Sequence, residues 1–168
     1  FSIAHEARVL DALQGFGLKI PEFLGFSDEH QMILMECVDG TNDLTLEPDE
    51  RTRLRIRNEY YEQLARLHSL DVAPILENVP DISIPSRPED VALAGKFQFQ
   101  EADYLQSRPN LRPEPLLDLG IWWLHANVPQ GDRPVSFVQG DTGPGQFMYA
   151  DGTVTWMTGP RTLEAHVV

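Results

Sequence analysis

Residues 138–157 read VQGDTGPGQFMYADGTVTWM, and the fold turns on what this stretch is for. Asp141 stands among Gly140, Gly143, Pro144 and Gly145, between the apolar run PVSFV and a second run that doubles back on itself. Asp151-Gly152, set between apolar residues, is a strong two-residue hairpin signal, because both central positions of such a turn need positive φ. Loops held by glycine and proline are costly to order and commonly fix one side chain for function. An aspartate in a glycine turn also has a plainer reading, as a cap or turn former.

Five residues after Asp141 comes Gln146, whose amide oxygen can serve as a ligand. An acid followed at that distance by an amide is the spacing of kinase-type phosphoryl transfer. There the aspartate orients and deprotonates the attacking hydroxyl, and the amide helps to hold magnesium.

The elements before the loop follow a definite order. FSIAHEARVLDALQGFG places Ile3, Ala7, Leu10 and Leu13 at helical spacing, with Gly15 and Gly17 as the stop and no visible start. IPEFLGFSDEHQMILMECVDG predicts two strands, about 22–26 and 31–38, joined by a polar turn at Ser27 to His30. In LTLEPDERTRLRIRNEYYEQLARLHSLD, Pro48 opens a long amphipathic helix with Asp49 and Glu50 in its first turn. Its apolar positions are taken as 54, 60, 61, 64 and 67. Prolines 74, 80, 85 and 88 predict an irregular connection from Asp71 to Arg87. Glu89 to Leu105 predicts a helix, although KFQFQ also fits a short strand. Pro115 to Asn127 predicts another helix, with Trp122 and Trp123 expected in the core.

Composition narrows the class. A chain of 168 residues with 42% hydrophobic residues can bury a real core. The 26 acidic against 13 basic residues give a net charge of −13, which repels phosphate backbones and argues against nucleic acid. Cationic ligands, or anionic ones escorted by metal, suit that charge better. No apolar run approaches the length of a membrane span, so no membrane partner is expected. The single cysteine, Cys37, rules out an internal disulfide framework and suggests a cytoplasmic location. Cysteine and histidine show no metal-ligand spacing.

Taken together, HEARVLDAL with IPEFLG, ILMECVDG, YYEQLARLHSLD, EPLLDLGIWWLHANVP and FVQGDTGPGQFMYADGTVT resemble the aminoglycoside phosphotransferase family, the small-molecule branch of the protein-kinase-like fold. The resemblance implies an α+β, protein-kinase-like fold. Residues 1–41 would be the remnant of the nucleotide-binding small lobe and hinge, and 42–168 a partial, mainly helical large lobe with the catalytic loop. It implies transfer of a phosphoryl group from ATP or GTP, with Mg²⁺, to a small-molecule hydroxyl. Asp141 matches the catalytic aspartate of the family's HGD motif, and Gln146 stands where the family has a metal-binding asparagine. Glu6 matches the helix glutamate that pairs with a strand lysine. Glu36 and Val38 match the hinge whose backbone meets the adenine, and His68 a helix position taken as structural.

The departures from the pattern are specific. The phosphate-covering loop and strand lysine would precede Glu6, and residues 1–5 do not hold them. Gln139 replaces the HGD histidine, Gln146 is one methylene longer than asparagine, and Gly159 occupies the expected position of the DWE aspartate, the principal magnesium ligand. The expectation is therefore a family member incomplete at both ends and impaired as a catalyst, or a non-catalytic relative that binds a partner. Self-association that covers uncovered apolar surface is expected with either reading.

Overall fold

The computed structural model describes residues 2–79, 104–106, 114–128, 135–137, 139, 142–157 and 165–167. Asp141, Gly159, the proline-rich segment from position 80 onward and most of the helix expected over Glu89 to Leu105 lie outside the described residues; 104–106 are helical. The chain forms two compact units, residues 1–82 with 136–163, and residues 83–135 with 164–168. The described elements are helices and short antiparallel hairpins, an α+β arrangement.

In the first unit, α1 (Ile3–Ala12) does have a start signal: Ser2 is the N-cap, and its hydroxyl accepts the His5 N–H at 3.1 Å. Gly15 and Gly17 follow the helix with φ of +84° and +71°, the left-handed conformation that glycine adopts without strain. The helix buries Ala7, Val9 and Leu10, with Leu13 just beyond it, and packs on the hairpin of β1 (Phe23–Ser27) and β2 (Met32–Met35). β2 is shorter than its sequence predicts, so Glu36 to Val38 lie beyond the strand.

The long helix α2 (Glu50–His68) takes Asp49 as its cap rather than in its first turn; the carboxylate accepts from Thr52 N–H at 2.9 Å and Thr52 Oγ1 at 2.7 Å. Its buried stripe is Ile56, Tyr60, Gln63, Leu64 and Leu67, while Leu54 and Tyr61 are exposed. Positions 56, 60, 63, 64 and 67 recur at three and four residues, which is one helical face. Position 54 lies two residues from 56, on the opposite side of the helix, and 61 is one step off the stripe. A single turn, α3 (Ala73–Leu76), interrupts the expected irregular link, with Pro74 in the first turn, where its missing N–H breaks no helical bond.

β3 (Val135–Phe137) leads to the loop, and β4 (Phe147–Ala150) pairs antiparallel with β5 (Thr153–Met157). Asp151 and Gly152 have φ of +50° and +72°, the two positive values that the hairpin signal called for. Val9, Leu13, Ile56, Tyr60, Leu67, Phe147 and Val154 belong to one core that joins α1, α2 and this hairpin. Lys19 ties its edge together. Its N–H donates to buried Gln63 at 2.9 Å, and its ammonium pairs with Glu59 and donates to Val154 O at 2.6 Å. Glu59 in turn accepts the Val154 N–H at 2.9 Å, and Met157 N–H donates to Lys19 O at 2.8 Å.

In the second unit, α4 (Pro115–Ala126) matches its expected span, with Pro115 in the first turn and Asn127 closing it. Trp122 and Trp123 are exposed rather than in the core, and among the described residues none of the helix's side chains is buried. PLLDLGIWWL is apolar on every face, so its periodicity points to no inner side. β6 (Ala165–Val167) completes the described elements of this unit.

Candidate functional site

The loop after β3 is built around buried anchors on both sides. Ser136, Phe137 and Gln139 are buried before it, and Phe147 is buried after it. Phe147 stacks on Tyr60 of α2, with ring centroids 4.6 Å apart and planes 29° apart, which fixes where β4 begins. A turn closes the loop: Gln146 N–H donates to Gly143 O at 3.2 Å, and Gly145 sits at φ +86°. Gln146 is therefore positioned by its neighbour's burial and by its own backbone.

The two glutamines that depart from the family pattern touch each other. Gln139 Nε2 donates to Gln146 Oε1 at 3.5 Å, a long contact. Gln139 is 1% exposed, so a buried amide supports the Gln146 side chain.

The remaining residues expected at the site divide as follows. Glu36 is exposed and Val38 half-buried, just past β2. Glu36 N–H donates to Glu22 O at 2.9 Å, so that backbone donor is already used. Glu6 is half-buried on α1, and its carboxylate makes no ion pair among the described residues. The lysine–glutamate pair that does form, Lys19 with Glu59, braces the core instead. His68 is half-buried at the end of α2, and burial holds its pKa below the usual imidazole range.

After β2 the chain runs beside β4. Thr41 and Tyr149 exchange backbone hydrogen bonds at 3.0 and 2.9 Å, and Tyr149 Oη donates to Asp43 O at 3.1 Å. Burial, with the charges of Glu47 and Asp43, pushes the Tyr149 phenol up. Asp43 Oδ1 accepts from Thr45 N–H at 3.0 Å and Thr45 Oγ1 at 2.6 Å, and those bonds lower its pKa. This linker, the α2 face around Arg57, Tyr60 and Tyr61, and loop residues Thr142 to Pro144 enclose a cavity of about 380 Å³. The cavity escaped the sequence reading. Its signal was the spacing of Arg57 to Tyr60 and Tyr61, three and four residues apart and so on one helix surface.

Magnesium asks for hard oxygen ligands, usually one or two carboxylates together with substrate phosphates. Among the described residues, no three His, Cys, Asp or Glu side chains form such a cluster. Gln146 supplies one neutral oxygen, too little to hold the ion unaided.

A family model described as the phosphotransferase enzyme family matches residues 2–157. The chain belongs to the phosphotransferase enzyme family. The matched span of this phosphotransferase-family chain contains Glu6, Glu36, Val38, Gln139, Asp141 and Gln146, whereas Gly159 lies beyond it. No curated protein matches the chain. No helix among the described residues is long and apolar enough to cross a membrane.

Proposed function

We propose that the chain is a nucleotide-dependent phosphotransferase acting on a small-molecule hydroxyl, with Asp141 as the base that orients the acceptor. The observation that carries this reading is the braced loop: Gln146 set by the Phe147–Tyr60 stack and backed by buried Gln139, five residues after Asp141. In the reaction the acceptor oxygen attacks the γ-phosphorus of ATP or GTP and its proton passes to Asp141. The bond to the β-phosphate oxygen breaks, and the nucleoside diphosphate leaves with the electron pair. Gln146 would offer one oxygen to a magnesium ion that arrives with the nucleotide phosphates, and the Glu36 carbonyl and Val38 backbone would meet the base. Glu6 is assigned a supporting place on α1.

A second reading, a non-catalytic relative, is favoured by Gly159, which stands where the family's principal metal aspartate is expected. Phosphoryl transfer depends mostly on positioning and charge neutralisation, so that exchange should weaken turnover severely. One experiment separates the two: nucleotide hydrolysis and thermal stability measured against magnesium-ATP and magnesium-GTP, for the chain and for Asp141→Asn. Turnover lost in the variant supports the enzyme. Stabilisation by nucleotide without turnover supports the non-catalytic reading, and neither response rejects nucleotide binding by this chain.

A further inference from the structure

Five arginines lie on α2, and three are committed to backbone carbonyls: Arg53 to Glu47, Arg55 to Gly152 and Arg66 to Gly17. Arg57, which lines the cavity beside the loop, makes no hydrogen bond or ion pair among the described residues. Its helical neighbours explain why. Three and four residues away stand Arg53, Leu54, Tyr60 and Tyr61, none of them an acid. In a chain of net charge −13, a cation that makes no ion pair among the described residues and lines a cavity is open to a ligand anion.

The rest of the cavity wall sets the size and charge of that ligand. Leu44, Tyr60 and Phe147 give an apolar, aromatic surface, and 380 Å³ falls within the range of small-molecule sites. Asp43 lines the same cavity and is an ionised carboxylate at neutral pH, so the described residues of the wall carry one positive and one negative charge. A triphosphate would be repelled there, whereas a monoanion with a neutral body is accommodated at the Arg57 end. Thr142, the chain neighbour of Asp141, belongs to the wall as well.

We propose that this cavity is the acceptor site and that it selects a small hydroxy acid, whose carboxylate pairs with Arg57 and whose apolar body lies on Tyr60 and Phe147. The acceptor role rests on the phosphotransferase reading; the anion selectivity does not. The hydroxyl of that acid takes the γ-phosphoryl group, its proton goes to Asp141, and the nucleoside diphosphate departs with the electrons of the broken bond.

The probes are 3-phenyllactate and its neutral counterpart 3-phenylpropane-1,2-diol, followed by calorimetry or ligand-observed NMR with the full chain and no nucleotide. The acid should bind about fivefold more tightly than the diol, the scale of an exposed ion pair. Arg57→Gln should bring the acid down to the level of the diol and leave the diol unchanged. Arg51→Gln, at an arginine of the same helix whose side chain is unpaired among the described residues and lines a different depression, should change neither. Equal binding of acid and diol, unchanged acid binding in Arg57→Gln, an equal loss in Arg51→Gln, or no binding of either probe overturns the proposal. Displacement of the acid by magnesium-ATP would place Arg57 in the nucleotide site and overturn it too. Acid-selective binding in a chain that fails to turn over nucleotide rejects the phosphotransferase reading and supports the anion site. Turnover without acid-selective binding rejects the acceptor site alone.

Discussion

Gly40 lies against the backbone of Tyr149 so closely that a Cβ built on it would stand 2.6 Å from the Tyr149 carbonyl oxygen and 3.0 Å from its carbon. The backbone at Gly40 is also at φ +136°, which side chains rarely adopt. This approach lets the segment after β2 run beside β4, and it sets Asn42 to Thr45 as a wall of the cavity.

Gly40→Ala should therefore destabilise the chain by about 2 kcal/mol or more, combining backbone strain with a clash against backbone that cannot move aside. Gly15→Ala isolates the strain, because Gly15 is also at positive φ but a Cβ there meets nothing within 4 Å. It should cost roughly 1 kcal/mol. Urea midpoints of the two variants measure the difference; equal midpoints would mean that the Gly40–Tyr149 contact contributes nothing.

The register of α2 can be tested by paired truncations. Ile56 is fully buried, and Ile56→Ala should cost about 2–5 kcal/mol. Leu54 is 41% exposed, and Leu54→Ala should stay within about 1 kcal/mol. The opposite order in chemical denaturation would restore the face that periodicity alone suggested.

That face shows where the sequence was legible and where it was not. The Asp151-Gly152 turn was readable because it depends on local φ values that few residues tolerate, and the α4 span because Pro115 marks its start. The inner face of α2 was harder, since RTRLRIRNEYYEQL offers apolar residues on two sides and the choice is made by Phe147, which recruits Tyr60 from a distance in sequence. The same holds for the site. The spacing of Asp141 and Gln146 is local and visible. The cavity, in contrast, is assembled from three segments, and the Gln139–Gln146 contact gives meaning to two substitutions that look independent in the chain.

Stability should fall in two steps on acidification. Burial holds the His68 pKa below its ordinary 6.5, so the unfolded state binds the proton more readily. That contribution is complete above pH 6.5 and is lost as pH falls through the folded value. For Glu59, burial alone would raise the pKa, but the Lys19 hydrogen bond, the Val154 N–H and the charges of Lys19 and Arg55 bring it below 4.5. Its contribution is present above pH 4.5 and is lost below, as pH passes through the folded value. Urea midpoints across pH should show both steps, His68→Gln removing the upper and Glu59→Gln the lower. A midpoint that stays flat as pH falls below 6.5 would reject the His68 assignment, and one with no further fall below pH 4.5 would reject the Glu59 assignment.

The contact between Gln139 and Gln146 makes their substitutions interdependent. Gln139→Ala removes a buried amide and leaves Gln146 Oε1 without that donor, while Gln146→Ala removes the acceptor and leaves Gln139 buried with one fewer partner. Each single change therefore includes part of the same interaction, and the double variant counts it once. At 3.5 Å the bond is long, which places the coupling near the lower end for a neutral hydrogen bond, about 0.5 kcal/mol. A double-mutant cycle in urea denaturation reads it directly. Strict additivity would mean that the Gln139–Gln146 contact does not help to hold the loop amide. A measurable coupling would show that buried Gln139 braces the Gln146 amide.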